Sequence, residues 1–354
     1  MTQVHPVLLL GSSPYTSTSE AITRFCKALP TLSRVSDGET NERSCFTLWQ
    51  RRVFPPEILT NRFMPDTPQI HDPDFVLTFE SLKPTGYADA ALTSYPIFCS
   101  LRAQGIVPSH ARFQVCLPSP INAVLAWVRE PYMALAEKLY MRLILTDLAK
   151  IQHAIPPHDL CIQWDIPQEI AHMEHTYNPP RAGGFGWDVM LPWYDDVREH
   201  ICAELRVLGD AVHEDAELGF HLCYGDFGGV HCVEPLDAGI LVEVINGIAA
   251  NVARRVSYYH IPVPRNRVDA GYFEPLRMLS MRARESTLFL GLVHAHDEEG
   301  TRERIETAKR VLGHAEFGIS TECGLGRAKA ENLASIFKIC RRCSVSRSEA
   351  HIRL

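Results

Sequence analysis

No window of this 354-residue chain approaches the roughly 18 consecutive apolar residues of a membrane span, so no membrane partner is expected. Basic charge is also in short supply: 35 Lys and Arg stand against 42 Asp and Glu, a formal net charge of −7. A nucleic-acid partner is not expected either, because neutralising phosphates takes a basic surface. The one basic stretch, Lys338 to Arg353, reads as a solvated helix end. The opening MTQVHPVLLLGSSP has no basic n-region, and its apolar run is too short for a signal peptide. Cysteine is not scarce at 11, but the number is odd and the residues are scattered through apolar runs such as FQVCLP and DLCIQW. That argues against a disulfide framework and for a reducing, cytoplasmic compartment. Short internal repeats and low-complexity linkers are missing as well, which leaves one domain over residues 1–354. Hydrophobic residues at 46% and charged residues at 22% suffice for a full core.

What is present is an alternation. Short apolar or β-branched runs end in polar or Gly/Pro punctuation and are separated by longer helical patterns. The runs are VLLLGSS near the start, SRVSDGE (33–39), FQVCLPSP (113–120), CIQWDIP (161–167), GFHLCYGD (219–226), RVSYYHIPVP (255–264), LFLGLVHAH (288–296) and EFGISTECG (316–324). Helical stretches are expected over 19–29, 119–154, 195–214, 234–253, 270–285, 298–313 and 326–341. Eight β-then-α units predict a parallel sheet covered by helices, closed as an α/β (β/α)8 TIM barrel rather than an open doubly wound sheet. Two long insertions, at about 45–112 and 172–195, follow strand ends, where a barrel carries its functional loops. The second contains Arg181-Ala-Gly-Gly-Phe-Gly, which neither follows a strand nor opens a helix. It reads as a flexible lid rather than a phosphate-binding loop.

The polar residues gather at the carboxyl ends of these strands: Ser12 and Ser13, Asp37 and Glu39, Ser119, Asp165, His221 and Cys223, His260, His294 and His296, then Glu322 and Cys323. That end is the active-site face of a TIM barrel. On a strand, positions i and i+2 share a face, so His221 and Cys223 project together, and Cys323 at the end of the eighth strand supplies a second thiolate. Imidazole with soft sulfur selects Zn²⁺, and three protein ligands with an open position make a catalytic site. The competing reading is that these residues only pack or hydrogen-bond. His294 and His296 repeat the i, i+2 pattern and suit either acid/base work or ligation. Asp165 suits a substrate ammonium or hydroxyl, or caps a helix. Cys340-Arg-Arg-Cys343 has CxxC spacing but no second pair, and reads as part of a terminal helix.

Taken in order, GSSPYT, SDGET, LPSP, QWD, HLCYGD, VHAH and TECGLGR resemble the C-terminal barrel of cobalamin-independent methionine synthase, one of the uroporphyrinogen-decarboxylase-like barrels. The resemblance runs from Gly11 to Arg327, with HLCY and ECGLGR its most specific pieces. It implies a zinc site at His221, Cys223 and Cys323 that activates a thiol for methyl transfer. It further implies an ammonium anchor at Asp165, the family's Gly-Glu glutamate at Glu39, carboxylate binding at Ser12 or Ser13, and a catalytic histidine at His296. The family's fourth zinc ligand, a Glu ending strand six, is matched here by His260, which would ligate through nitrogen. An aspartate near the catalytic histidine is matched by His294. Full-length members carry a further N-terminal barrel with no counterpart in these residues, so polyglutamyl-folate binding does not carry over. The expected partner is a small thiol or amino-acid-like molecule; the oligomeric state is not read from the sequence. Two other functions fit the same residues: a lyase, hydrolase or decarboxylase using Asp165, His294 and His296, and a non-catalytic small-molecule binder.

Overall fold

The structure is a computed structural model, and it describes residues 5–70, 72–178, 191–225 and 230–344. Eight parallel strands form one sheet in the order β1-β8-β7-β6-β5-β4-β3-β2. They are β1 (Val7–Leu8), β2 (Arg34–Ser36), β3 (Arg112–Pro118), β4 (Leu160–Ile166), β5 (Glu217–Leu222), β6 (Tyr258–Pro262), β7 (Thr287–Val293) and β8 (Phe317–Thr321). Their sequences are apolar runs because both faces of a parallel barrel sheet are covered; all seven residues of β4 are buried. Between β1 and β2, the two ends of the order, single bonds join the segments that follow the strands. The Ser13 N–H donates to the Gly38 carbonyl at 2.7 Å, and Ser36 Oγ donates to the Gly11 carbonyl at 2.8 Å. The architecture is the expected (β/α)8 barrel.

Eleven α-helices lie among the described residues: α1 (Thr18–Ala28), α2 (Phe46–Gln50), α3 (Tyr87–Ala103), α4 (Pro120–Trp127), α5 (Met133–Ala154), α6 (Pro167–Tyr177), α7 (Val197–Asp210), α8 (Gly239–Asn251), α9 (Ala270–Phe273), α10 (Glu298–Leu312) and α11 (Ala330–Cys343). α1 shows the local logic. Ser17 caps it by accepting from the Glu20 N–H, and Ala21, Ile22, Phe25 and Cys26 bury one face. No helix among the described residues is long and apolar enough to cross a membrane.

Three helical expectations need correction. The stretch 119–154 is two helices, α4 and α5, broken around Pro131, which has no N–H to donate and disfavours helix at the residue before it. The insertion 45–112 is not all loop, since it contains the 17-residue α3, whose Ala88, Ala91 and Phe98 are buried. The stretch 270–285 is one turn of helix followed by 3-10 turns. The Arg181–Gly186 lid lies outside the described residues.

Inside the barrel, Leu8, Leu10, Cys161, Tyr258 and Phe289 form a separate buried cluster. Tyr258 fits because Gly219 faces it on β5; a Cβ there would sit 2.0 Å from the Tyr258 ring. Its hydroxyl donates to Gln163 Oε1 at 2.9 Å, and Gln114 Nε2 donates to the same oxygen at 3.0 Å. This plug underlies the mouth of the barrel.

Candidate metal centre

Register brings the chemistry together. Parallel pairing sets Asp165 of β4 beside His221 of β5, and His221 beside His260 of β6. Cys223 lies just past the end of β5, and Cys323 two residues past β8. The ligand atoms of His221, Cys223 and Cys323 all lie within 4.8 Å of one another. Cys223 Sγ is 3.7 Å from Cys323 Sγ, and Cys323 Sγ is 3.8 Å from His221 Nε2. A tetrahedral zinc with bonds of about 2.3 Å to sulfur and about 2.0 Å to nitrogen separates its ligand atoms by about 3.5–3.8 Å. These three residues therefore fit zinc.

The side chains of the cluster polarise one another. The neighbouring Cys223 thiol and the His221 imidazole outweigh burial and hold the Cys323 thiol well below its ordinary range. Cys223 is pushed well up by its contact with Cys323 and by burial. Burial would lower His221, but Cys323 and Asp165 raise it. These shifts favour a Cys323 thiolate beside a protonated His221 and a neutral Cys223 thiol.

His260 does not join this cluster. Its Nε2 lies 3.0 Å from the Thr321 carbonyl oxygen and its Nδ1 2.8 Å from His221 Nδ1. A carbonyl only accepts, so Nε2 carries the proton. Burial, with His221 adding to it, holds His260 well below the usual histidine range and hence neutral. Its Nδ1 then accepts from the His221 Nδ1–H, which turns His221 Nε2 toward the sulfurs. The strand-six histidine thus stands behind a ligand, fixing tautomer and ring orientation, where a direct ligand was expected.

The cluster opens into a cavity of about 100 Å³ whose wall also carries Ser12, Glu39 and Asp165. Burial pushes Asp165 up to about 7, although His221 and a hydrogen bond from Gln163 Nε2 at 2.8 Å favour its charged form. Glu39 is raised well above the carboxylate range, first by burial and then by Asp165. Its backbone has φ +41°, uncommon for a residue with a Cβ, and Gly11 at φ +98° leaves room for its carboxylate. Phe46, Phe63, Leu125 and Trp127 give the same cavity an apolar lining.

The other expected residues fall elsewhere. Ser13 is fully buried, and its hydroxyl donates to the Gly38 carbonyl at 3.0 Å, so of the serine pair Ser12 is the one in the cavity wall. His294 and His296 do not line it. His294 Nε2 donates to the Val263 carbonyl at 3.0 Å, and burial pushes its pKa down to about 4. His296 is exposed, with Nε2 3.0 Å from Asn332 Oδ1. Glu322 binds His231 Nε2 at 2.9 Å and lines a different cavity. Cys340 and Cys343 are buried in α11. Sequence reasoning did not single out Arg327, which lines the cavity with its Nη2 4.0 Å from Cys323 Sγ. Its position four residues after Cys323 was the available signal. Gln163 and Thr321 were missed because their roles are to hold Asp165 and His260.

The fold and this site define the class as a (β/α)8 barrel with a Cys/His cluster at its mouth. No protein-family model matches the chain, and a search of curated proteins finds no match. Among solved structures it is similar to a B12-independent methionine synthase from Shewanella sp. W3-18-1 in complex with selenomethionine. The TM-score is 0.60 over 97% of this chain and 97% of that one, at 12% identity. Identity that low shows likeness of fold. The carboxyl transferase domain from Rhizobium etli pyruvate carboxylase with 3-hydroxypyruvate also matches, at a TM-score of 0.27 and 11% identity, covering 96% of this chain and 52% of that one. A score so low carries no argument.

Proposed function

We propose that this chain is a methionine-synthase-like enzyme that transfers a methyl or other alkyl group to a small thiol. The observation that carries the reading is the spacing of His221, Cys223 and Cys323, whose 3.7 and 3.8 Å separations match the edges of a zinc tetrahedron. Zinc bound there supplies Lewis acidity, holding a thiol as thiolate at neutral pH.

The remaining work falls to the chain's own residues. Asp165 and Glu39 are two buried carboxyls raised first by burial, Glu39 also by Asp165, and a substrate ammonium between them relieves both. Ser12, whose Oγ accepts the Gly326 N–H at 3.1 Å, and the Arg327 guanidinium offer donors for a carboxylate. The aromatic wall excludes water from the transferred alkyl group. An amino-acid-like thiol satisfies all three features. In the transfer its sulfur forms a bond to the alkyl carbon as the donor's bond to that carbon breaks, the electron pair leaving with the donor.

A second reading rests on Asp165 at about 7, well tuned for general acid/base work in a lyase, hydrolase or decarboxylase. Metal analysis separates the two. Purified chain should hold about one zinc that is lost in Cys223→Ser with the barrel still folded. Zinc retained in that variant overturns the ligand assignment, and a folded, metal-free, active chain favours the second reading.

A further inference from the structure

Outside the barrel, against the β4 side, three helices bring acidic and imidazole side chains together in a buried cluster that the alkyl-transfer reading does not use. Glu137 comes from α5, Glu169 and His172 from α6, and His200 and Glu204 from α7. The pairs are spaced i, i+3 and i, i+4, so each pair shares a helix face. Glu137 Oε1 lies 2.6 Å from His200 Nε2, and its Oε2 accepts the Trp193 Nε1–H at 2.6 Å. The ligand atoms of Glu137, His200 and Glu204 all lie within 4.8 Å of one another.

The cluster lacks a positive partner. Glu204 is 5% exposed and neither of its oxygens receives a donor from outside the cluster, while Glu169 is fully buried with the Ser119 hydroxyl beside it. Nε2 of the fully buried His172 is also without a partner. Among the described residues no lysine or arginine forms an ion pair with Glu137, Glu169 or Glu204; the only ion-pair partner is His200. Three ionised carboxylates would face at most one imidazolium beside them, and buried like charges that lack donors are costly. The surroundings are ordered to hold the histidines. Tyr194 stacks on His200 at 3.8 Å between ring centroids, and its hydroxyl lies 2.5 Å from His172 Nδ1.

We infer that Glu137, His200 and Glu204 form a second metal site, for a divalent first-row transition ion, with Glu169 and His172 supporting it. The donor set is carboxylate oxygen and imidazole nitrogen without sulfur. It suits divalent manganese or iron and differs in softness from the thiolate cluster at the barrel mouth. The ion takes the place of the hydrogen bond between Glu137 Oε1 and His200 Nε2 and supplies a positive charge beside the Glu204 oxygens. Bound there, it ties α5 to α7 outside the barrel. The inference does not depend on the alkyl-transfer reading.

The test titrates full-length, chelator-treated chain with Mn²⁺ alone, following the loss of the free-ion paramagnetic resonance signal. Mn²⁺ is chosen because a thiolate-rich site holds it poorly. Saturable binding of one Mn²⁺ per chain is expected. Cys223→Ser should leave it unchanged, whereas Glu204→Gln, nearly isosteric, should weaken it by at least about 100-fold, beyond the loss that outer-shell changes cause. His200→Ala provides a second variant should Glu204→Gln not fold. Absence of saturable binding to the wild-type chain overturns the site. So does binding that survives both Glu204→Gln and His200→Ala. If the wild type binds nothing and Glu204→Gln is the more stable chain, the carboxyls share protons and the inference is refuted.

Discussion

Replacing Asp165 with Asn should stabilise this protein, and the gain should grow with pH. In the folded chain burial moves this carboxyl from 3.8 to about 7, so it keeps its proton through a range in which the unfolded chain has lost it. Between about pH 4 and pH 7 the native state then binds more protons than the unfolded state, and stability falls as pH rises. The displacement corresponds to about 4 kcal/mol once pH exceeds 7, an order-of-magnitude figure. Asn retains the acceptor for the Gln163 Nε2–H and removes the charge. The advantage of Asp165→Asn over wild type should therefore increase by about 3 kcal/mol between pH 5 and pH 8. Glu39 reinforces the trend, because Asp165 is one of the groups that raises it. The assay is denaturant unfolding of chelator-treated protein at several pH values, with a zinc-loaded arm. A cation beside His221 stabilises the Asp165 carboxylate and should flatten the wild-type slope. A stability difference between the two chains that stays constant from pH 5 to pH 8, or shrinks as pH rises, would refute the reasoning.

Three other outcomes are expected. Zinc binding near neutral pH should release about two protons, one from His221 Nε2 and one from Cys223, because Cys323 is already a thiolate; calorimetry in buffers of different ionisation enthalpy measures this, and release near zero contradicts it. His260→Ala should weaken zinc by about 10–100-fold as the loss of a ligand's orienting partner, while X-ray absorption of the wild type finds two sulfurs and a single imidazole; two imidazoles would restore His260 as a ligand. Gly219→Ala should destabilise by about 1–3 kcal/mol or more through overpacking, since its Cβ would meet the Tyr258 ring at 2.0 Å; an unchanged unfolding midpoint would show that the ring moves freely.

The strands were legible because a buried parallel strand has no polar face to interrupt its apolar run. All eight expected runs overlap the strands, from VLLLGSS around β1 to EFGISTECG around β8, although four of them start one or two residues after the strand begins. Helices were less legible where propensity and apolar content continue through a break, as from α4 into α5, or where a long segment between strands hides a helix, as with α3. At the site, residues lying at the ends of strands were legible: Ser12, Glu39, Asp165, His221, Cys223 and Cys323 all line one cavity. Ser13, one residue along, is turned to the Gly38 carbonyl instead, which the sequence pattern did not separate from Ser12. His294 and His296 lie beyond the end of β7, where alternation no longer holds. His296 sits at φ +60° in a loop whose direction the sequence pattern did not carry. The Glu137, His200 and Glu204 cluster was invisible because it joins helices more than 60 positions apart.

His260 has the right residue type at the right strand end, yet it stands one position back from the sulfurs, and the difference bears on function. Its two nitrogens are both engaged, one by the Thr321 carbonyl and one by His221, so joining a metal would break two buried hydrogen bonds. Ligation by His221, Cys223 and Cys323 alone leaves one tetrahedral position open. Structural zinc sites close all four positions with protein, whereas catalytic sites keep one for water or substrate. The same cavity that would supply the fourth ligand also carries Asp165 and Glu39, whose raised values make a bound cation favourable beside them. A thiol that also bears an ammonium can therefore reach the open position and the carboxyls together, and His260 serves that arrangement better by aiming His221 than by filling the vacancy itself.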